Sequence, residues 1–286
     1  MYKNKSIFQN KWLIKEFDER KILYLSKKFN ISFFLSKLLC STNLEEKEIS
    51  DLLNQTDEFN IPDPFILKDM EKTVLRTIDA IEKNKKIGII ADYDVDGSTS
   101  AAILYNFLKK FNKEILIKVP ERLTEGYGPN NRIMNEFIEE KVSLIFCLDC
   151  GTSSFSIFDD IKYAEMDIIV IDHHISERKF PKIFSIINPN RFDEGHEFIN
   201  LAAVGVTFLF LMALRKKLRN SNFFKKIKEP NLLNYLDLVA LGTVCDVVFL
   251  DKLNKLFVNK GLNIIKQRKS IPLTKIIDNL NIRAEP

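Results

Sequence analysis

The sequence predicts an α/β fold with a parallel β-sheet and helices on both faces. Between residues 71 and 190, short apolar runs rich in isoleucine, valine and leucine alternate with longer segments of helical periodicity. This alternation is typical of repeated βαβ units. Acidic residues or histidines directly follow three of the apolar runs. Because the carboxyl ends of parallel strands share one edge of a sheet, these residues are predicted to meet there.

The predicted elements of this region follow one another without internal repeats. In order they are the helix MEKTVLRTIDAIEKN, the strand KIGIIADYD, the helix STSAAILYNFLKKF, the strand ILIKVP, the helix NRIMNEFIEE, the strand SLIFCLD, a further helix and the strand DIIVID. After SIINPN the pattern predicts mainly helix, from Leu201 through Ile265.

The first 70 residues predict a small helical region. The segment NISFFLSKLL has helical patterning, and Ser41 or Thr42 is placed to cap a second helix that begins near Glu45 and Glu46. The segment IPDP then interrupts the pattern. We therefore predict two domains, a helical region over 1–70 and an α/β domain over 71–286.

The composition is that of a globular protein, with 45% hydrophobic and 29% charged residues. The net charge of +4 is too small to indicate nucleic-acid binding by itself. Basic clusters at 215–219, 225–228 and 266–269 are able to bind phosphates, but solvated helix faces are the simpler interpretation.

The sequence predicts a cytoplasmic protein that does not associate with membranes. The N-terminus has no apolar stretch of signal-peptide length, and the run Leu201–Leu214 is shorter than the roughly 20 residues that cross a bilayer. The four cysteines are predicted to be reduced, because Cys147 and Cys150 have no second pair that would complete a zinc site.

The segment ADYDVDG carries Asp92, Asp94 and Asp96 at alternating positions. Side chains at alternating positions of an extended chain lie on one face, where ionised carboxylates repel one another. Divalent cations with oxygen ligands relieve that repulsion. This segment is therefore predicted to bind metal.

Further acids and imidazoles recur downstream. Asp149 ends one apolar run, Asp172, His173 and His174 end another, and Asp246 follows the apolar segment ALGTVC. Each acid taken singly has an alternative role as the cap of the following helix. Their joint occurrence favours one shared metal site.

These motifs resemble those of a known family. DYDVDG, LDCG, DHH followed by NPN, and GTVCDVV resemble the DHH phosphoesterase superfamily and, within it, the bacterial RecJ single-stranded-DNA exonucleases. VPERLTEGYG (119–128), IINPNR (186–191) and the segments 201–218 and 230–254 are also RecJ-like, as is NKWLIKEFDER near the N-terminus. The resemblance assigns 71–286 to a DHH phosphoesterase domain.

The resemblance implies a pair of Mn²⁺ or Mg²⁺ ions. It assigns Asp92, Asp94 and Asp149 to one ion, and Asp96, Asp149, His173 and Asp246 to the other, with Asp149 as the bridge. An imidazole ligand favours manganese over magnesium. His174 is then expected to contact the scissile phosphate. The predicted catalytic residues are His174 and the bridging Asp149. A structural role for His174 beside Asp172 stays open.

Six further residues are predicted to bind substrate: Ser98, Thr99, Arg122, Tyr127, Asn188 and Asn190. Ser98 and Thr99 begin a predicted helix whose amides can hold a phosphate, although Ser98 is also a candidate helix cap. Arg122 and Tyr127 are expected to contact a phosphate and to stack on a base. For Asn188 and Asn190, formation of a turn is an equal alternative.

The resemblance implies a metal-dependent exonuclease that degrades single-stranded DNA from 5′ to 3′ in repair and recombination. It implies single-stranded DNA as partner, together with a single-strand-binding protein or a helicase. Family members continue into a second substrate-binding domain and an oligonucleotide-binding fold after the position of NIRAEP, so a truncated form with weak strand binding is expected. The alternatives are a phosphodiesterase for short oligonucleotides or cyclic dinucleotides, a pyrophosphatase, and a non-catalytic nucleic-acid-binding module.

Overall fold

The computed structural model describes residues 17–42, 44–53, 61–112, 114–160, 163, 165–195, 197–225 and 227–280. Residues 10–16 of NKWLIKEFDER and the segment NIRAEP lie outside these ranges. The chain forms two compact units, Met1–Asn60 and Ile61–Pro286. The assignment of 1–70 to an N-terminal region and of 71–286 to a DHH domain stays a prediction.

The described part of the first unit is helical. Its helices are α1 (Glu19–Phe29), α2 (Phe33–Ser41) and α3 (Glu46–Leu53). Leu25, Leu39 and Ile49 form its buried core. The prediction that Ser41 or Thr42 caps the following helix is wrong. Helix α2 runs through Ser41, and Thr42 ends it by donating its amide to the Leu39 carbonyl.

The second unit contains a five-stranded, entirely parallel sheet, which confirms the predicted fold class. The strands are β1 (Ile87–Ala91), β2 (Ile115–Lys118), β3 (Leu144–Leu148), β4 (Asp167–Ile171) and β5 (Ser185–Ile187). Their spatial order is β2-β1-β3-β4-β5. Strands β1 and β3 are buried throughout, as the continuous apolar runs of a parallel sheet require. With three residues, β5 is too short to stand out in the sequence as an apolar run.

Helices cover both faces of the sheet. They are α4 (Met70–Glu82), α5 (Val95–Leu108), α6 (Asn131–Glu139), α7 (Phe155–Phe158), α8 (Ala203–Asn220), α9 (Leu236–Cys245), α10 (Lys252–Lys266) and α11 (Ile271–Asn279). On one face Phe146 of β3 packs against Phe210 of α8. On the other face Ile145 lies in a separate core with Phe137 of α6. Alternate residues of each strand therefore stabilise two different helix layers.

The helical stretch predicted after SIINPN is confirmed by α8, α9 and α10. Most of α8 is buried in the larger core, which explains its long apolar run. Among the described helices, none is both long and apolar enough to span a membrane.

Candidate metal centre

The register of the sheet aligns the carboxyl ends of four strands. The paired end residues are Ala91, Leu148, Ile171 and Ile187. The next amides continue this ladder, because Asp92, Asp149 and Asp172 each donate to the end residue of the neighbouring strand at 2.9–3.2 Å. The strand register thus places all three acids at one level along the carboxyl edge.

The three aspartates of ADYDVDG lie across a strand-to-helix turn. They do not share the face of an extended strand as their alternation predicts, because β1 ends at Ala91 and α5 begins at Val95. Asp94 is the cap of α5 and accepts a hydrogen bond from the Gly97 amide at 2.8 Å. The prediction that this helix begins at 97–99 is therefore wrong, and so is the alternative role of Ser98 as its cap.

Asp96 connects the metal motif to α8. Its two carboxylate oxygens accept hydrogen bonds from the amides of Ala203 at 2.6 Å and Val204 at 2.8 Å. These are free amides at the helix N-terminus, where a negative charge is also stabilised by the helix dipole. The Asp96 side chain is therefore fixed before any ligand binds.

His173 lies at the middle of the carboxylates. Its Nε2 atom is 3.3 Å from Asp149 Oδ1, 3.5 Å from Asp246 Oδ2 and 3.9 Å from Asp96 Oδ2. Asp246 comes from the C-terminal end of α9, so the fourth predicted segment reaches the site from a helix and not from a strand. A second group of ligand atoms, from Asp92, Asp94 and Asp149, lies within 4.8 Å of one another.

Asp149 has a left-handed backbone, with φ of 60°. Aspartate tolerates this region better than most residues, because its short side chain can form local hydrogen bonds. Its carboxylate also belongs to a group with His173 and His174. Asp149 therefore belongs to two of the groups of candidate ligand atoms.

Four buried ligand atoms have no hydrogen-bond partner among the described residues. They are Asp92 Oδ1, Asp149 Oδ1, His173 Nε2 and Asp246 Oδ2. A buried polar atom without a partner costs about 1–3 kcal/mol, more when it is charged. Carboxylates with one imidazole form a donor set that suits hard or borderline divalent cations. The residues present therefore fit a divalent metal centre.

Burial and mutual repulsion perturb the carboxyl groups. Burial is the main cause that raises the pKa of Asp92, Asp96, Asp149 and Asp246. Neighbouring carboxylates raise them further, as Asp94 does for Asp149. A cation is the natural counter-charge to such a cluster.

His174 lies beside this cluster, with Nδ1 3.9 Å from Asp149 Oδ1, and it is held by Asp172. Its Nδ1 atom is 2.7 Å from Asp172 Oδ1. Asp172 is 1% exposed, and the bonds that it accepts, His174 foremost, lower its pKa to about 2. Because an ionised carboxylate only accepts hydrogen bonds, Nδ1 carries the proton. The hydrogen bond with Asp172 raises the pKa of His174 to about 9.

Tyr127 and Arg122 lie beside the cluster. The Tyr127 hydroxyl donates to the Asp149 carbonyl at 2.6 Å, and half of the tyrosine is exposed. The Arg122 guanidinium is exposed and lies 5.0 Å from the centre of the Tyr93 ring, a cation-π distance. Their contacts with phosphate and base stay predictions.

Other predicted substrate residues have intramolecular partners. Asn188 is fully buried, and its amide nitrogen donates to Thr152 Oγ1 and to the His174 carbonyl. Asn190 donates to the His173 carbonyl. The Thr99 hydroxyl donates to carbonyls of its own helix, whereas Ser98 is exposed. Substrate contacts of these four residues stay predictions.

The basic cluster at 215–219 is paired with acidic residues. Lys216 pairs with Asp63 at 3.1 Å and Lys217 with Glu71 at 2.6 Å. Glu229 pairs with both arginines of the cluster. These pairings agree with a solvated helix face.

The cysteines contribute no ligands to the centre described above. Cys147 and Cys150 are buried free thiols, and burial raises the pKa of each. Cys40 and Cys245 are free and less buried. His196, which the polar segment EGHEF predicts to be a surface residue, lies outside the described residues.

Two residues in contact with the site are not among the predicted ones. Thr152 donates its hydroxyl to Asp172 Oδ2 at 2.7 Å, and Tyr93 supports Arg122. Tyr93 lies between two predicted ligands, which is a usable sequence signal. Thr152 gives no such signal, because its partner lies 20 positions away.

Comparisons with known proteins identify the family of the chain. The family model described as DHH family, N-terminal domain, matches residues 86–243. The single-stranded-DNA-specific exonuclease RecJ of Bacillus subtilis (strain 168) is 30% identical over 267 residues, 93% of this chain and 32% of the relative. RecJ of Dickeya dadantii (strain 3937) is 38% identical over 196 residues, 68% of this chain and 34% of the relative.

Solved structures have the same fold. The crystal structure of exonuclease RecJ bound to manganese has a TM-score of 0.65 at 28% identity, over 78% of this chain and 54% of that chain. RecJ from Thermus thermophilus in complex with Mn²⁺ has a TM-score of 0.66 over 92% of this chain and 36% of that chain, and at 22% identity it supports the fold alone. The chain spans about a third of the length of the curated relatives that it matches. The family match covers more than half of the sequence, and the chain belongs to the DHH family.

Proposed function

We propose that the chain is the catalytic part of a metal-dependent exonuclease that hydrolyses single-stranded DNA. The observation that carries this proposal is the convergence of four buried ligand atoms without hydrogen-bond partners among the described residues. The relatives named as single-stranded-DNA-specific exonucleases supply the substrate class. Because the chain spans about a third of those relatives, their activity is a proposal for this chain.

The proposed centre holds two ions of Mn²⁺ or Mg²⁺. Asp92, Asp94 and Asp149 are the proposed ligands of one ion. The proposed ligands of the other are Asp96, Asp149, His173 and Asp246. This division is supported by two groups with ligand atoms within 4.8 Å of one another, Asp92–Asp94–Asp149 and Asp96–His173–Asp246, and by the 3.3 Å between Asp149 Oδ1 and His173 Nε2. The imidazole favours Mn²⁺. When bound, such a pair supplies an activated water nucleophile and neutralises the charge of the phosphate.

His174 is the proposed contact to the scissile phosphate. Its ring is half exposed, Nδ1 is bonded to Asp172, and Nε2 is the nitrogen left for a substrate. Because its pKa is raised to about 9, the imidazolium form donates from Nε2 to a phosphate oxygen at neutral pH.

Other groups beside the centre are proposed to hold the strand. Arg122, supported by the Tyr93 ring, pairs with a phosphate. The exposed half of Tyr127 stacks on a base. Ser98 and Thr99 bring a helix N-terminus close to a phosphate, although the Gly97 amide is already bonded to Asp94.

The cellular context is also part of the proposal. We place the protein in the cytoplasm, with a 5′ to 3′ polarity and a role in DNA repair and recombination. A single-strand-binding protein or a helicase is the proposed protein partner. These points rest on the resemblance to the RecJ exonucleases.

The test is a digestion assay with the purified chain and Mn²⁺. The substrates are single- and double-stranded oligonucleotides, labelled at the 5′ or the 3′ end, together with a dinucleotide. Asp149→Asn removes a proposed bridging ligand, and Glu139→Gln removes an exposed acid on α6 as the matched control. Metal-dependent release of mononucleotides from single strands, lost in Asp149→Asn alone, supports the proposal. Cleavage of the dinucleotide alone supports the phosphodiesterase alternative, and no cleavage by the parent chain contradicts both.

A further inference from the structure

The Asn-Pro-Asn segment after β5 contacts the DHH motif through its side chains. Asn188 donates to the His174 carbonyl at 2.8 Å, and Asn190 donates to the His173 carbonyl. The Asn190 amide nitrogen also donates to the Ile199 carbonyl at 3.1 Å. The main chain of both histidines is therefore held by the segment that follows β5.

Asn188 also begins a series of hydrogen bonds that ends on the His174 ring. Asn188 donates to Thr152 Oγ1 at 3.0 Å, and Thr152 Oγ1 donates to Asp172 Oδ2 at 2.7 Å. The Thr152 amide adds a second bond to this oxygen at 3.2 Å. On the other oxygen, Asp172 accepts from the His174 ring and from the amides of His173 and His174.

The four residues joined by these hydrogen bonds are polar. Three of them are almost completely buried: Asn188, Thr152 and Asp172. The Asn188 side chain has no unused group, because its oxygen also accepts from the Asn190 amide at 2.8 Å. A buried polar chain in which each member is satisfied fixes a single geometry. Loss of the Thr152 hydroxyl leaves one N–H of Asn188 without its acceptor and removes the shorter of the two Thr152 hydrogen bonds to Asp172 Oδ2.

We propose that Asn188 and Thr152 are positioning residues, which fix Asp172 so that the His174 ring presents Nε2 to the substrate. This inference rests on the proposed function of His174 and deepens it. It assigns the asparagine to the enzyme's internal framework instead of to strand binding. Residues that orient a functional group through a second layer of hydrogen bonds change activity by about 10-fold to 100-fold when they are replaced.

The test compares Thr152→Val with Thr152→Ser in the full chain. Valine has the shape of threonine without the hydroxyl, and serine keeps the hydroxyl. The chain has only three histidines, which makes the ring signals of ¹⁵N-labelled protein assignable with His→Gln variants. Spectra are recorded with diamagnetic Mg²⁺ at one pH, and the exchange rate of the His174 Nδ1 proton is measured.

We expect Thr152→Val to accelerate exchange of this proton about 10-fold and to lower kcat on single-stranded DNA about 10-fold, with KM within about 2-fold. Thr152→Ser should keep both close to the parent values. Asn188→Asp, which replaces the donor by an acceptor, should give the same ring signature as Thr152→Val. Unfolding temperatures identify any variant that has lost its fold.

Several outcomes would overturn the proposal. One is an unchanged Nδ1 exchange rate in folded Thr152→Val, and another is an equal effect of valine and serine. If the parent chain is active, an unchanged kcat in Thr152→Val would also overturn the proposal. If the parent chain has no nuclease activity but the ring signal moves as expected, the positioning stands and the proposed function fails, so the two are separable.

Discussion

The Tyr127 hydroxyl donates a hydrogen bond to the main-chain carbonyl of Asp149, at 2.6 Å. Asp149 has φ of 60°, so this bond lies on a residue with a left-handed backbone. The same hydroxyl is 3.3 Å from His174 Nδ1. The tyrosine of the EGYG segment thus contacts the backbone of the proposed bridging ligand as well as facing solvent.

Tyr127→Phe should separate these two roles. Phenylalanine keeps a ring for stacking and removes a hydrogen bond worth about 1 kcal/mol. We expect weaker Mn²⁺ binding, measured by calorimetry, with single-stranded DNA binding retained. Tyr127→Leu is the matched variant and should weaken both. Unchanged metal affinity in Tyr127→Phe would show that the hydroxyl does not support the centre.

The raised pKa values predict how stability depends on pH without metal. Asp96 has its pKa raised to about 7 by burial, and Asp92, Asp149 and Asp246 are raised in the same direction. An unfolded aspartate has a pKa of about 3.9. Between these values the folded state binds more protons than the unfolded state, so stability is greatest below about pH 4 for these groups and falls as pH rises.

We therefore expect the free energy of unfolding in EDTA to fall from pH 5 to 8. His174 acts in the same direction, because its pKa is also raised. A saturating divalent cation should cancel this fall in the free energy of unfolding, since it replaces the protons as counter-charge. The stabilisation by Mg²⁺ should therefore grow with pH. Urea titrations at four pH values measure this. A free energy in EDTA that rises over this range would contradict the interpretation.

Gly242 sets the distance of α9 from its neighbours. A Cβ atom at this position would be 2.4 Å from Thr99 Oγ1, 2.8 Å from Val204 Cγ1 and 3.2 Å from Asp96 Oδ1. Overpacking in Gly242→Ala should lower the free energy of unfolding by about 1–3 kcal/mol. The higher helix propensity of alanine offsets part of this loss. It should also weaken Mn²⁺ binding, because α9 carries Asp246 at its end.

Gly195→Ala is the matched control, because a Cβ atom there has no atom within 4 Å. Its free energy of unfolding in urea should differ little from that of the parent. Equal stabilities and equal metal affinities of the two variants would show that α9 adjusts freely to the added methyl group.

The sequence predicts the parallel sheet and the convergence of its carboxyl ends because both follow from local apolar patterns. Asp149 and Asp172 could be located at this edge in this way, since each directly follows a strand, and His173 is the next residue. The start of α5 could not be located, because capping by Asp94 competes with continuation of the strand. The contacts of Asn188 and Thr152 join separate segments, and only the packed tertiary structure determines them.

The shared position of Asp149 distinguishes it from Asp92. Asp149 supplies an atom to two groups of potential ligands, whereas Asp92 belongs to one. Asparagine suits the comparison, because it tolerates the left-handed backbone of Asp149 and has nearly the same shape as aspartate. We expect Asp149→Asn to lower Mn²⁺ affinity and occupancy at both positions and to abolish cleavage. Asp92→Asn should weaken one position and leave the other measurable by calorimetry. Glu139→Gln should match the parent, and equal metal occupancy in Asp149→Asn and the parent would contradict the bridging role.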